Sequence, residues 1–303
     1  MFHVKHTEKP KLLVITGPTA SGKTKLAVSM ARQFDGEIIS ADSRQVFRGM
    51  NLGTGKDIGE YGEIPYHLID ILNPAEGFSA SQFKTLALSA IEQTFSRQKL
   101  PILCGGSGHY IKSLLQGYQF NHPPHNPYFS AALEGLPTDF LKTCAKRLGL
   151  NGPTDSNRRM ARSIEKALTA PTEQPLSPSS PVKFDAKVYL IQPERSLLRL
   201  RIRQRLRERL QEGMVEEVQS LLDQHIPIER LQSFGLEYRW VTAYLQKELS
   251  LTAMEKSLFQ NICQFAKRQE TFFRYMQKEG VLMRPFTTEE EMSDEVHRWL
   301  QRD

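Results

Sequence analysis

Gly17-Pro18-Thr19-Ala20-Ser21-Gly22-Lys23-Thr24 carries the first recognisable chemistry in this 303-residue chain. It satisfies the pattern G-x-x-x-x-G-K-[ST]. In that pattern backbone N–H groups and a helix N-terminus converge on phosphate oxygens, the lysine adds charge and the last hydroxyl meets Mg²⁺. The pattern specifies phosphates without saying which. Lys23 and Thr24 would serve a nucleoside triphosphate or a bare diphosphate equally well. A second candidate is Asp42, which opens Asp42-Ser43-Arg44-Gln45 after an apolar run. In open α/β sheets ligands sit at the carboxyl ends of strands. An acid there, beside a phosphate cradle, suits general-base work or a metal's water shell; the alternative is that Asp42 only caps the next turn. A third Gly-rich turn, Gly105-Gly106-Ser107-Gly108, brings another close backbone approach. Together the turns at 17, 42 and 105 are expected to define one crevice.

These turns need strands before them and helices after them. Lys11–Thr16 is short, apolar and partly β-branched, as a buried strand should be, and Leu26, Met30 and Phe34 recur at helical spacing with Ala27 and Ala31 beside them. Gly36–Ala41, Tyr66–Leu72 and Pro101–Cys104 are expected as further strands, with Gly49–Gly62 a loop and Pro74 stopping the third strand. His67 inside that strand is expected to be a satisfied core residue rather than a ligand. Ser79-Ala80-Ser81-Gln82 is a capping box. It opens a helix whose core face is Phe83, Leu86, Ala87, Ala90, Ile91 and Phe95.

From residue 118 the character changes. Asn121–Pro127 holds three prolines and two histidines. His122 and His125 lack an acidic or Cys partner nearby, so a metal site there is the lesser reading. Helices are expected near 128–148 and 155–169, the second packing through Met160, Ile164 and Leu168, followed by a Pro-rich loop at Pro171–Pro181. Arg158, Arg159 and Arg162 either contact phosphates or form a solvated face. The fold expected is α/β, a P-loop NTPase-like parallel sheet core flanked by helices. Residues 1–117 and 183–303 form that core with a helical C-terminal region, and 118–182 form a small helical insertion.

After a strand at Ala186–Ile191, one helix carries Leu198, Ile202, Leu206 and Leu210 on a stripe, with Arg201, Arg205 and Arg209 on the adjacent one. One of these arginines is expected to reach the crevice while others could meet nucleic acid, and most of the helix's seven are expected simply to be solvated. A last long helix packs through Met254, Leu258, Ile262 and Phe265. It continues into Ala266–Arg274, where basic and aromatic residues alternate as on nucleic-acid surfaces.

Net charge is +6 and the sequence pI about 9.1, which permits a polyanionic partner. Cys104, Cys144 and Cys263 are far apart and make neither a zinc spacing nor a disulfide framework. The start MFHVKHTEKPK lacks a signal-peptide core, and no run approaches ~18 apolar residues. A soluble, cytoplasmic protein without a membrane segment is expected.

Six segments in order, GPTASGKT at 17, ADSRQVFRGMNLGTGK at 41, YHLIDIL at 66, PILCGGSGHYIKSLLQG at 101, RIRQR at 201 and FAKRQETFFR at 265, resemble the tRNA dimethylallyltransferases, also called tRNA isopentenyltransferases. The resemblance spans about residues 12 to 275. It implies transfer of the dimethylallyl group from dimethylallyl diphosphate to N6 of adenosine 37, next to the anticodon of tRNA, with release of diphosphate. It also implies an enzyme that uses Mg²⁺, grips the anticodon stem-loop and works as a monomer. Gly17, Pro18, Thr19, Ala20, Ser21, Gly22, Lys23 and Thr24 would hold the diphosphate, with Lys23 neutralising the leaving group and Thr24 on Mg²⁺. Arg205 would reach the same diphosphate. Asp42 would be the base on the adenine amine. Ser43, Arg44 and Gln45 would meet the tRNA, with Gln45 reading the extruded adenine and Ser107 near the reacting amine. Arg158, Arg159 and Arg162 in the insertion, and Lys267 and Arg268 near the C-terminus, would touch tRNA.

The sequence departs from the family's pattern at Ser107 and His109, at Phe47 for Tyr, at Phe272 for Trp, at Arg158 for Gln and across Ser233–Tyr238. Three rivals share parts of the same residues. A P-loop small-molecule kinase and an enzyme prenylating free AMP or ATP both leave the basic C-terminus without a use. A non-catalytic RNA-binding protein leaves Asp42 without one.

Overall fold

The structure is a computed structural model and describes residues 9–117, 127–150, 156–169 and 184–302. Its centre is β1 (Lys11–Thr16), where Leu12, Leu13, Val14 and Ile15 have no exposed surface. A continuous apolar run is what a parallel strand covered on both faces requires. On one side lies β4 (Leu100–Gly105) and on the other β5 (Asp185–Leu190), with Val14 opposite Leu103 and Val188. β2 (Gly36–Ser40), β3 (Tyr66–His67) and β6 (Arg284–Pro285) complete the sheet. Among the described residues its order is β3-β2-β4-β1-β5-β6, every pair parallel. Thr16 pairs with Gly105, and Ser40 with Cys104. That register brings the ends of β2, β4 and β1 level, so the turns after them share one edge.

Alternation along the strands divides the core. Leu13, Ile15, Ile38 and Ile102 face α1 (Lys23–Gln33) and Met292, Val296 and Trp299 of α12 (Glu289–Leu300). Leu12, Val14, Ile39 and Leu103 face α2 (Ala80–Ser96), α3 (Gly108–Leu115) and the C-terminal half of α11 (Leu251–Lys278). A third cluster joins the N-terminal half of α11 to α7 (Arg195–Gln211), α8 (Met214–Asp223), α9 (Ile228–Ser233) and α10 (Leu236–Leu245), and it also takes in Val46, Phe47 and Met50. By its internal contacts the chain divides into Met1–Tyr118 with Val182–Asp303, and Gln119–Pro181. The second unit holds α4 (Pro127–Glu134), α5 (Thr138–Arg147) and α6 (Asn157–Thr169), with Leu141, Ala145, Met160 and Ile164 as its core. Among the described residues no helix is long and apolar enough to cross a membrane.

Several expectations need correction. The third strand is two residues, not seven, because Leu68 (φ +63°) and Asp70 (φ +55°) adopt left-handed backbone that no extended strand can contain. Beyond it Leu72 makes only an isolated parallel bridge with Phe47, outside the strands of the sheet. The stripe of α6 ends at Ile164, since the small core ends there and Leu168 is 56% exposed. Leu86 and Phe95 lie on the exposed flank of α2, where Phe83, Ala87, Ala90, Ile91 and Thr94 are the buried residues. His67 is satisfied as expected, its Nε2 2.7 Å from the Glu37 carboxylate. Arg97, against the opposing effect of burial, holds the Glu37 carboxyl down at about 2, with His67 and Thr94 assisting. The capping box at Ser79 and Gln82 forms in full. His122, His125 and the Pro171–Pro181 stretch lie outside the described residues.

Candidate active site

At the end of β1 the Thr16 hydroxyl donates to the Gly105 carbonyl at 2.8 Å, tying the first Gly-rich turn to the third. The chain then runs so close to Ile191 that a Cβ on Gly17 would sit 2.5 Å from the Ile191 carbonyl oxygen. Glycine is required there by contact rather than by dihedral. The turn closes through left-handed backbone at Ala20 (φ +59°) and Gly22 (φ +91°). α1 then begins with no side chain capping its N-terminus, so its first N–H groups are left for a ligand. The Ser21 hydroxyl is buried with no hydrogen-bond partner among the described residues. A buried hydroxyl in that state is costly unless an acceptor arrives, and a phosphate oxygen is such an acceptor. Lys23 Nζ donates to the Pro18 carbonyl at 3.3 Å. Burial lowers its pKa and Arg205 acts in the same direction, opposed by Asp42 and Asp57.

Ser21, Lys23, Thr24, Asp57, Arg205 and Arg209 line a cleft of about 520 Å³. One arginine of α7 was expected here and three arrive. Arg201 donates to the Ser21 carbonyl at 3.4 Å, Arg205 to the Gly55 carbonyl and to Asp57, and Arg209 to Asp57 at 3.2 Å. Residues four apart on a helix stack on one face, so a stripe that places one arginine at the cleft places its neighbours there too. The other four, Arg195, Arg199, Arg203 and Arg207, are exposed as expected, three of them with a neighbour on α11. Arg199 and Arg203 lie over the Phe259 ring at 5.4 and 4.6 Å, and Arg207 is 3.9 Å from Glu255.

The second turn opens on Asp42, and here both readings of that residue coexist. Its Oδ1 accepts the Arg44 N–H at 2.9 Å, a cap, while its Oδ2 holds no hydrogen bond among the described residues. The third turn is locked onto the second. The Ser107 N–H donates to the Ala41 carbonyl at 3.2 Å, the Ser43 N–H donates to Ser107 Oγ at 3.3 Å, and a Cβ on Gly105 would run into the Ala41 carbonyl. The structure thus brings Lys23, Thr24, Asp42 and Ser107 to one sheet edge, with Arg205 above the first.

Arg44 and Gln45 take different places. The Arg44 guanidinium pairs with Glu237 at 2.7 Å, the two side chains only 14% and 7% exposed. Gln45 is held at both ends, accepting from Ser40 Oγ at 2.8 Å and donating to the Gly55 carbonyl at 3.0 Å. Both residues therefore shape the turn through which Asp42 is presented. Within the second unit, Arg158 and Arg159 are exposed in the first turn of α6, while Arg162 pairs with the buried Glu165 at 2.6 Å. Lys267 and Arg268 are exposed on α11.

Several of the departures from the family pattern pack against one another in pairs. The rings of His109 and Phe272 pack at a tilt of 46° with centroids 4.2 Å apart. Phe47 is buried edge-on to Phe234 with ring centroids 5.0 Å apart. In the Ser233–Tyr238 segment, Glu237 takes Arg44 and the Tyr238 hydroxyl donates to Glu217 at 2.8 Å. Glu217 in turn accepts the N–H groups of Asn51, Leu52 and Gly53.

Sequence reasoning missed Gln269. Its Oε1 accepts the Thr19 N–H at 2.9 Å and its Nε2 donates to the Gly106 carbonyl at 3.0 Å, clamping the first and third turns to α11. The signal was present: a lone amide in the apolar stripe Ile262, Ala266, Phe273, Met276. Gln269→Leu should leave the Thr19 N–H and the Gly106 carbonyl without partners, at about 1–3 kcal/mol for each buried group. Thermal unfolding should show this loss, and the Michaelis constant for a diphosphate substrate should rise several-fold with nucleic-acid affinity unchanged. Unchanged stability and kinetics would mean that water replaces the amide.

No group of three or more His, Cys, Asp or Glu among the described residues could hold a metal ion. A metal here would instead rest on Thr24 and on substrate oxygens, with Asp57 and Glu60 also on the rim of the cleft. That sparse, all-oxygen set fits Mg²⁺, which keeps most of its waters and binds through one or two protein groups and phosphates.

The sequence model of a family described as IPP transferase matches residues 45–276. The chain is 46% identical over 288 residues to a Pelobacter propionicus protein named tRNA dimethylallyltransferase 2, covering 92% of this chain and 90% of the relative. It is 45% identical over 281 residues to tRNA dimethylallyltransferase 1 of Geotalea daltonii, covering 90% and 89%. A solved structure from Staphylococcus epidermidis, described as a tRNA delta(2)-isopentenylpyrophosphate transferase, superposes with a TM-score of 0.69 at 31% identity, covering 96% of this chain and 99% of that one.

Proposed function

The chain belongs to the IPP transferase family, and from that premise we propose that it is a tRNA-modifying prenyltransferase that moves a dimethylallyl group from dimethylallyl diphosphate to N6 of adenosine 37. The observation that supports this reading best is the contiguity of the site. A phosphate cradle with an orphaned Ser21 hydroxyl and an arginine opposite shares its sheet edge with an aspartate that has one oxygen free.

The chain's own residues supply the steps. The cradle N–H groups, Ser21, Lys23 and Arg205 bind the diphosphate and stabilise the negative charge that grows on its oxygen as the allylic C–O bond breaks. The N6 lone pair forms the new C–N bond, and Asp42 Oδ2 takes the amine proton. An aryl amine is a weak nucleophile because its lone pair is delocalised into the ring, so a placed carboxylate matters. Mg²⁺, held by Thr24 and diphosphate oxygens, would add charge neutralisation of the leaving group. An adenosine in an anticodon loop must leave its stack to reach the edge, at a cost of ~ a few kcal/mol. Lys267 and Arg268, with Arg158, Arg159 and Arg162, are the cations assigned to tRNA phosphates. One chain carries both the cradle and the acceptor edge, so the reaction needs no residue from a second copy; on this reading the protein is a monomer that meets its tRNA in the cytoplasm.

Diphosphate release tests this reading. With Mg²⁺ and dimethylallyl diphosphate, release should require unmodified tRNA; orthophosphate released from ATP without prenyl transfer would contradict it. A second expected outcome concerns Lys267→Ala with Arg268→Ala. The logarithm of tRNA affinity should fall less steeply with the logarithm of salt concentration, by roughly 0.7 to 0.9 for each phosphate that the double variant no longer neutralises. An unchanged slope would assign that part of α11 to packing alone.

A further inference from the structure

The cleft already contains an anion of its own. Asp57 lies in a turn of left-handed backbone (φ +46°) at the start of a single 3-10 turn, Ile58–Glu60. Its carboxylate receives Nη2 of Arg205 and, at 3.2 Å, Nη2 of Arg209. Both guanidiniums line the cleft with Ser21, Lys23 and Thr24. The turn that offers this carboxylate is built rather than loose. Lys56, with no exposed surface, donates to the Phe47 carbonyl, to Asn51 Oδ1 at 3.0 Å and to Asp70. Gly55 packs so tightly that a Cβ would strike the Arg205 and Arg209 guanidiniums. Burial opposes ionisation of Asp57, yet the two arginines outweigh it and hold its carboxyl below the usual range.

Resting on the reading of the cleft as a diphosphate site, we infer that Asp57 is a stand-in for the diphosphate: a fixed carboxylate that occupies Arg205 and Arg209 when the cleft is empty, yields Arg205 to the incoming phosphates, and reclaims it as the product leaves. The physical reason is competition. Two guanidiniums beside half-buried Lys23 repel one another, and partial burial leaves their charge poorly solvated. A carboxylate partner relieves both problems in the empty protein. The same carboxylate repels a diphosphate and so limits how tightly the product is held. Asp57 is on this account a positioning residue for the arginines, with its effect expressed in product release.

The test is titration of inorganic diphosphate into the full chain by calorimetry, with Mg²⁺ and again in EDTA, for wild type and Asp57→Asn. Asp57→Ser serves in the same assay should the amide variant not fold. Wild type should bind diphosphate, and Asp57→Asn should bind it at least about tenfold more tightly in both conditions, because a like charge at close range has been removed. In steady state the variant should show a lower inhibition constant for diphosphate and a lower Michaelis constant for the prenyl donor, with kcat reduced where release limits it. Equal or weaker diphosphate binding by a folded variant would overturn the inference and make Asp57 a scaffold for the arginines. Weakening confined to the Mg²⁺ condition would overturn it in favour of a metal ligand. Failure of the wild-type protein to bind diphosphate at all would overturn the reading of the cleft, a separate outcome from either.

Discussion

Asp42→Ala should lower the rate of dimethylallyl transfer by about 10²- to 10⁴-fold, the usual contribution of a placed general base, with binding of inorganic diphosphate unchanged. The separation follows from the proposed division of the site, in which the carboxylate acts at the acceptor edge and the cradle holds the phosphates. Because Asp42 Oδ1 also caps the turn through the Arg44 N–H, alanine removes two things at once. Asp42→Asn distinguishes them: its amide oxygen still accepts from Arg44, while no group remains to take the proton. Both variants should therefore lose the same activity. If asparagine retained activity within about tenfold of wild type, the cap would be the residue's whole contribution and the proton would go elsewhere.

Lys23→Ala should reduce kcat by about 10²- to 10³-fold, the scale seen when one preorganised stabiliser of developing negative charge is removed. It should also weaken inorganic diphosphate binding. Fold stability should be unchanged or slightly higher, since the lysine is a poorly solvated cation that donates to the Pro18 carbonyl of its own loop. Activity loss with a lowered melting temperature and intact diphosphate binding would instead make Lys23 a strut of the loop. Lys23→Arg is not expected to rescue, because the guanidinium fork is larger and would meet Arg205 across the same cleft.

Much of the site was legible because its chemistry is local. Gly17 to Thr24 announces a phosphate cradle through spacing alone. The three turns could be assigned to one edge because each follows an apolar run short enough for a strand. The stripe of Arg201, Arg205 and Arg209 was visible as well, but its destination was not: helical spacing says that the three point one way and is silent on what they face. Gln269 and Asp57 were hidden for a related reason. Each acts on a segment more than a hundred residues away, Gln269 on Thr19 and Gly106 and Asp57 on Arg205 and Arg209. Such pairings depend on tertiary approach and leave only a polar residue in an unexpected stripe or turn. Arg44 shows the opposite limit. The resemblance implied a contact with tRNA, and only the structure shows the guanidinium paired with Glu237. The third strand was overextended because Tyr66–Leu72 is apolar enough for a strand, and the left-handed turns at Leu68 and Asp70 have no glycine to mark them.

The most direct test of the central claim is to follow labelled dimethylallyl diphosphate, with Mg²⁺ and the purified protein, into unmodified tRNA, AMP and ATP offered in parallel. The predicted result is label on N6 of adenosine 37 of tRNA and on neither free nucleotide. Label on AMP or ATP, or no transfer to any acceptor, would contradict the account.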